Sequence, residues 1–209
     1  MGINKGNEPH ESPAELARRV SLPFKDLRLL NRALTHRSYV NEHDESLLDN
    51  ERLEFLGDAV LDFVVGAWLY NQFPEKKEGE LTRMRSALVR TEQLAEFARK
   101  LRLGDSVKLG RGEALAGGRE RDILLCAAFE ALIGAIFLEN DIKVVQKFME
   151  GFLKNNVDEI LSRSNQSDPK SSLQEWSQAN KLGIPIYTTV AINGPEHERI
   201  FEVHAQING

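Results

Sequence analysis

Glu51, Glu54 and Asp58 stand at three- and four-residue spacing in the stretch Glu51-Arg52-Leu53-Glu54-Phe55-Leu56-Gly57-Asp58. On a helix Glu54 and Asp58 project from one face, roughly 6 Å apart, with Glu51 one turn earlier on that side. Three like charges stacked in this way repel one another, and here they interrupt an otherwise apolar run. A divalent cation among them relieves the repulsion. Hard carboxylate oxygens with few imidazoles and no thiolate partner suit Mg²⁺, with Mn²⁺ as a substitute, rather than zinc. The same pattern is also met by salt bridges, with Arg52 or Arg83 as partners. A fourth acid, Glu130, lies at the middle of Ile123–Ile136, a segment apolar nearly all round. A lone acid there needs a partner or a metal, because burying an unpaired charge is costly. Ala127, Ala128, Ala131, Gly134 and Ala135 are small enough to let another helix approach closely, so the two acid-bearing helices are expected neighbours.

The elements that position these acids follow from apolar spacing. Asn50 to Phe73 is the strongest helical segment, with Leu53, Phe55, Leu56, Val60, Leu61, Val64, Val65, Trp68 and Leu69 covering most of its circumference and Pro74 marking its end. It is expected to run through the interior, with Trp68 in the core. Further helices are expected near Pro13, over Asp26–Leu34, Gly79–Val89, Thr91–Leu101, Arg121–Leu138 and Ile142–Leu161. The fold class is therefore mainly α: residues 1–12 a flexible tail, 13–162 a helical bundle, 163–168 a polar linker. Residues 169–209 change character, with a short helix over Lys170–Asn180 and two alternating runs around Asn193-Gly194-Pro195-Glu196 that predict a β-hairpin. Trp176 is expected to anchor that helix on the hairpin. A helix and two strands are too little for an independent core, so this α/β unit reads as incomplete.

Composition sets the outer limits. In 209 residues, 27 Lys+Arg against 32 Asp+Glu give 27 − 32 = −5, which excludes a uniformly basic nucleic-acid coat but not local basic patches. One cysteine, Cys126, excludes an internal disulfide, and no apolar run approaches a membrane span. A reducing cytoplasm is the expected home. Gly110-Arg111-Gly112 and Gly117-Gly118 lack the lysine and hydroxyl of a nucleotide loop, so no organic cofactor is expected. Arg111, Arg119 and Arg121 are either phosphate contacts or solvated loop charges. His36 reads as a structural hydrogen-bonding residue.

At the two acid-bearing segments the sequence resembles bacterial ribonuclease III, the double-stranded-RNA endonuclease. The run Glu51–Asp58 matches that family's signature, supported by Leu34–Tyr39, Glu78–Arg85, the loop near Gly117-Gly118 and Phe129–Ala135. Asp168–Glu175, Tyr187, Gly194–His197 and Phe201 resemble the start of a double-stranded-RNA-binding domain. The resemblance implies a homodimer with one metal-dependent site per subunit that leaves 5′-phosphates and short 3′ overhangs, in ribosomal and other RNA processing. It implies Glu54, Asp58 and Glu130 as metal-site acids, Asp58 and Glu130 acting in catalysis, and Glu51 and Glu78 as accessory acids. Phe55 would reach across the dimer interface into a pocket on the partner. Ser171, Gln174, Glu175 and His197 are the residues it would offer to RNA, or else plain surface of an incomplete unit.

One position departs from the pattern. Three residues before Glu130 the family places an aspartate, and this chain has Ala127. Asp122 is a poor substitute, about 12 Å away along the helix axis. Cys126 is off the register and soft, and reads as a small core residue. The expectation is a weakened cation site, and the alternative function is a double-stranded-RNA-binding regulator with little or no cleavage.

Overall fold

The computed structural model describes residues 9–43, 48–167, 169–194 and 199–208, without the side chains of residues 155, 160–167, 169, 171, 172 and 175. The chain falls into two compact units, Met1–Asp158 and Glu159–Gly209. In the first, the helices are α1 Pro13–Arg19, α2 Leu27–Ala33, α3 Arg37–Val40, α4 Glu51–Gln72, α5 Glu78–Val89, α6 Thr91–Lys100, α7 Arg111–Leu115 and α8 Asp122–Glu139, followed by the start of α9, Ile142–Ser167.

Local chemistry sets several of these boundaries. Ser12 and Glu15 form a reciprocal capping box at α1, with Pro13 in its first turn. Asp26 caps α2 by accepting from the Arg28 N–H at 2.9 Å. Glu139, at the end of α8, accepts from the N–H groups of Lys25 (2.8 Å) and Asp26 (3.2 Å), which ties the loop before α2 to that helix end.

Helix α8 runs through the centre of this unit. Phe129, Leu132, Ile133 and Ile136 are wholly buried, each worth about 1.5–3 kcal/mol of transfer free energy. α4 lies along α8 over its most extensive contact, and α6 and α2 pack on other sides of it. Leu53, Ala33, Ala131 and Ala135 meet where α2, α4 and α8 converge. On the far side Phe97, Phe129, Phe148 and Phe152 cluster, the Phe97 and Phe152 rings 4.9 Å apart. This arrangement is why the segment around Glu130 is apolar all round: helices surround it.

Three expectations about the organisation need correction. Residues 9–12 are anchored rather than loose: Glu11 pairs with Arg19 at 2.7 Å and accepts from the Ser106 hydroxyl at 2.6 Å, and the His10 N–H reaches the Asp105 carbonyl. The rest of the expected tail, residues 1–8, lies outside the described residues. The polar stretch read as a linker over 163–168 is helical through Ser167 as the last turns of α9. Polar composition removes the need to bury a face, but it does not forbid helix. Trp68, taken as core, is only partly buried; it meets Phe73 edge-on with ring centroids 6.1 Å apart.

The second unit contains α10 Pro169–Ala179, β1 Ile186–Asn193 and β2 Ile200–Gln206. The strands pair antiparallel from Ile186↔Gln206 to Asn193↔Ile200, with an irregularity between Thr189 and Ala191. Trp176 does not anchor α10, since it is 54% exposed. The anchoring contacts are polar: the Tyr187 hydroxyl donates to the Lys170 carbonyl (3.0 Å), and the buried Ser177 hydroxyl donates to the Gly183 carbonyl (2.7 Å). Ile186, Ile192, Phe201 and Val203 remain exposed, which accords with a unit short of core. Among the described residues no helix is long and apolar enough to cross a membrane.

Candidate active site

Two glycines fix the geometry of the α4–α8 crossing. A Cβ on Gly57 would lie 1.7 Å from the Glu130 carbonyl oxygen, and one on Gly134 would lie 2.3 Å from the Leu53 carbonyl oxygen. Backbone therefore meets backbone, which only glycine permits. The Glu130 backbone is pressed against Gly57, between Glu54 and Asp58 in sequence. The crossing delivers all three acids to one region.

Their electrostatics reflect this. Burial raises the Glu130 carboxyl to about 7, with the charges of Asp58 and Glu54 adding to the rise and a hydrogen bond from Cys126 opposing it. Glu54 is raised in the same sense by burial first, then by Glu51, Asp58 and Asp49. Glu54 and Glu130 thus both feel the charge of Asp58. Glu51 forms an ion pair with Arg37 of the short helix α3 at 3.4 Å. His36 caps that helix, its Nδ1 accepting from the Ser38 N–H at 3.1 Å, so its role is structural.

The surroundings of Glu130 explain the unusual pair at 126 and 127. Ala127 stands one turn earlier on the same helix and, like Glu130, is partly exposed, with no polar side-chain atom there. Asp122 does not supply one, being paired with Arg99. Cys126 is buried, and its thiol lies 3.5 Å from Glu130 Oε1 as donor. Burial, with the Glu130 charge close by, drives the thiol far above its ordinary range, so it stays protonated and neutral.

Glu78 is not brought to this cluster within one chain. It sits on α5 in a groove of 410 Å³ with Gly66, Leu69, Tyr70, Lys76, Leu81, Thr82 and Arg85, roughly 12–18 Å along the α4 axis from Asp58. Phe55, by contrast, adjoins the acids and is 80% exposed. The loop arginines serve the fold: Arg119 donates to the carbonyls of Gly104 and Val107, and Arg121 pairs with Glu113 at 2.6 Å. Of the residues expected at RNA, Gln174 lies part-buried on α10; the side chains of Ser171 and Glu175, and all of His197, lie outside the described residues.

Among the described residues no group of three or more His, Cys, Asp or Glu side chains is arranged to hold a metal ion. Mutual repulsion is a reason for carboxylates to stand apart when no cation joins them. In kind the donors fit a hard divalent cation: oxygen atoms only, with two carboxyls raised by burial and by the charge of neighbouring acids.

These shifts predict a pH dependence. The folded protein holds the Glu130 proton up to about pH 7, whereas the unfolded chain releases it near the ordinary 4.5. Between those values the folded state binds more protons, so this contribution is present at low pH and is lost as pH rises through about 7. Thermal unfolding of the metal-free protein should show the decline. Glu130→Gln should remove it and raise Tm at pH 8 by about 2–4 °C. A decline identical in both proteins would exclude Glu130 as its source.

Known proteins resemble this chain in sequence and fold. The family described as Ribonuclease-III-like matches residues 26–157, and the double-stranded RNA binding motif matches residues 169–209. Two solved nuclease-domain structures of ribonuclease III from Campylobacter jejuni are similar. One, concerned with flexibility in a region involved in dimer formation, is 41% identical with a TM-score of 0.62, covering 68% of this chain and 95% of that one. The other is 38% identical with a TM-score of 0.61, covering 75% and 97%. Dicer from Pichia stipitis is 27% identical over 89% of this chain and 85% of its own, with a TM-score of 0.50. The helical unit whose glycine crossing gathers Glu54, Asp58 and Glu130 is thus a nuclease domain with a double-stranded-RNA-binding motif after it, and the chain belongs to the ribonuclease-III-like family.

Proposed function

We propose that this protein cleaves double-stranded RNA endonucleolytically with Mg²⁺, Mn²⁺ serving as a substitute, to leave 5′-phosphates and short 3′ overhangs during cytoplasmic maturation of ribosomal and other structured transcripts. The observation that supports this reading is the α4–α8 crossing at Gly57, which brings the Glu130 backbone between Glu54 and Asp58, near enough for Glu130 to feel the charge of both. When bound, a divalent cation supplies an activated water and charge stabilisation at a phosphodiester. Glu54, Asp58 and Glu130 would hold it. The half-buried setting of Glu54 and Glu130 limits water around them and strengthens their interaction with a cation. Gln174, with Ser171, Glu175 and His197, would meet the duplex away from the reacting bond.

The same reading includes a homodimer. Phe55, Phe63 and Tyr70 are 80%, 61% and 72% exposed along one side of α4, an apolar stripe with Phe63 near its middle. Two copies of α4 laid antiparallel about Phe63 would bring each Phe55 to the other's Tyr70 and the groove beside it, a self-complementary pairing. Glu78, remote from the acids of its own chain, would then stand beside those of the partner. Phe55→Glu is expected to convert the dimer to monomer in sedimentation at micromolar concentration, with cleavage falling in step; an unchanged mass would refute the arrangement.

The direct test incubates end-labelled duplex RNA with the protein and Mg²⁺ or Mn²⁺. Fragments bearing 5′-phosphates, reduced at least about 100-fold in Glu130→Gln, are expected. Duplex that is bound in a gel shift yet remains intact would instead establish the regulator reading, which Ala127 favours.

A further inference from the structure

Resting on the cation site proposed above, we infer that Cys126 is a positioning residue for Glu130. Three observations lead there. The Glu130 backbone touches α4 at Gly57, between Glu54 and Asp58, so its carboxylate, once ionised, must be held against like charge. Ala127, on the turn where a neighbouring donor or ligand would stand, has no polar side-chain atom to hold it. The hydrogen bond to the Glu130 carboxylate among the described residues comes from Cys126, at 3.5 Å to Oε1.

Position 126 suits this role. Cys126 lies one turn before Glu130 on the same helix, at the i, i+4 spacing that sets side chains in contact. It is 7% exposed, so its rotamer is held by packing. A thiol is a weak donor, but it is neutral, so it restrains Oε1 without adding charge to a region that already holds three acids. Oε2 is left available to a cation. A lysine or arginine in its place would restrain the carboxylate more strongly, yet would compete with the cation for it. Cys126 therefore combines the small core volume read from the sequence with a directional contact to the acid that matters.

The test separates hydrogen bonding from packing. Valine is apolar, about one methyl larger and cannot donate, whereas serine donates but is polar and smaller. As the only cysteine in the chain, Cys126 gives a single S–H stretching band in the infrared spectrum of the metal-free protein. That band is expected below the free-thiol position at pH 8 and is expected to return to it in Glu130→Ala. In calorimetric titration with Mn²⁺, Cys126→Val is expected to bind about 10-fold more weakly than the unmodified protein, and Cys126→Ser to stay within about threefold of it. A band at the free-thiol position that ignores Glu130→Ala would overturn the inference. So would the order expected of packing alone, with the valine variant binding normally and the serine variant impaired. Neither readout needs RNA cleavage. Loss of cleavage with both results intact would strike the nuclease reading and leave the role of Cys126 standing.

Discussion

Ala127→Asp is expected to raise Mg²⁺-dependent cleavage of duplex RNA by about 10–100-fold, the range by which changes around a metal centre alter affinity or activity. Ala127 lies one turn from Glu130 on the partly exposed side of α8, so a carboxylate there joins the existing acids without displacing a core side chain. The gain has a counterpart without metal. A further negative charge beside Glu54, Asp58 and Glu130 deepens their repulsion, so the metal-free variant should melt lower than the unmodified protein and recover its Tm when Mg²⁺ is added. Cleavage and metal-dependent Tm should therefore move together. An aspartate that alters neither would mean that position 127 does not face the site.

Gly57→Ala should be the most damaging single-methyl change in the protein. Alanine in the middle of an ordinary exposed helix stabilises it by about 1 kcal/mol relative to glycine, so the sign of the effect is informative. At Gly57 the added Cβ would meet the Glu130 carbonyl oxygen at 1.7 Å. Both partners are backbone within packed helices, so relief requires α4 and α8 to separate. A loss of at least about 3 kcal/mol follows, or about 6–12 °C in Tm for a chain of this size. Gly151, on α9, provides the control: nothing lies within 4 Å of its Cβ position, and alanine there should be neutral or stabilising by up to about 1 kcal/mol. Similar melting of the two variants would show that the close crossing does not exist in solution.

The long apolar helices were readable because burial leaves a periodic record. The segment around Glu130 was apolar all round, and α8 is indeed enclosed by α2, α4 and α6. The small residues on α8 announced a close neighbour, and Gly134 is one of the two contact points. Gly57, the other, carried no separate signal: within a helix a glycine required by a crossing looks like any other. Arg37 was missed as the partner of Glu51 because the pair joins residues fourteen positions apart through the loop between α3 and α4. Polar composition misled at both edges of the helical unit. Glu11 draws residues 9–12 onto Arg19 and Ser106, and Ser162–Ser167 continue α9. Cys126 was legible as small and buried, but a thiol's contact with a carboxylate one turn away cannot be told from packing by residue type. Glu78 shows the opposite limit, since its distance from Asp58 in one chain is a property of how α5 folds back along α4.

The account stands on Glu54, Asp58 and Glu130 acting on one cation. Electron paramagnetic resonance of Mn²⁺ titrated into the unmodified protein and into Glu54→Gln, Asp58→Asn and Glu130→Gln measures that directly, at pH 8 and without RNA. Each substitution is expected to weaken the tightest Mn²⁺ binding by at least about 10-fold while the proteins remain folded. Unchanged Mn²⁺ affinity in any of the three would remove that acid from the site, and unchanged affinity in all three would contradict the account.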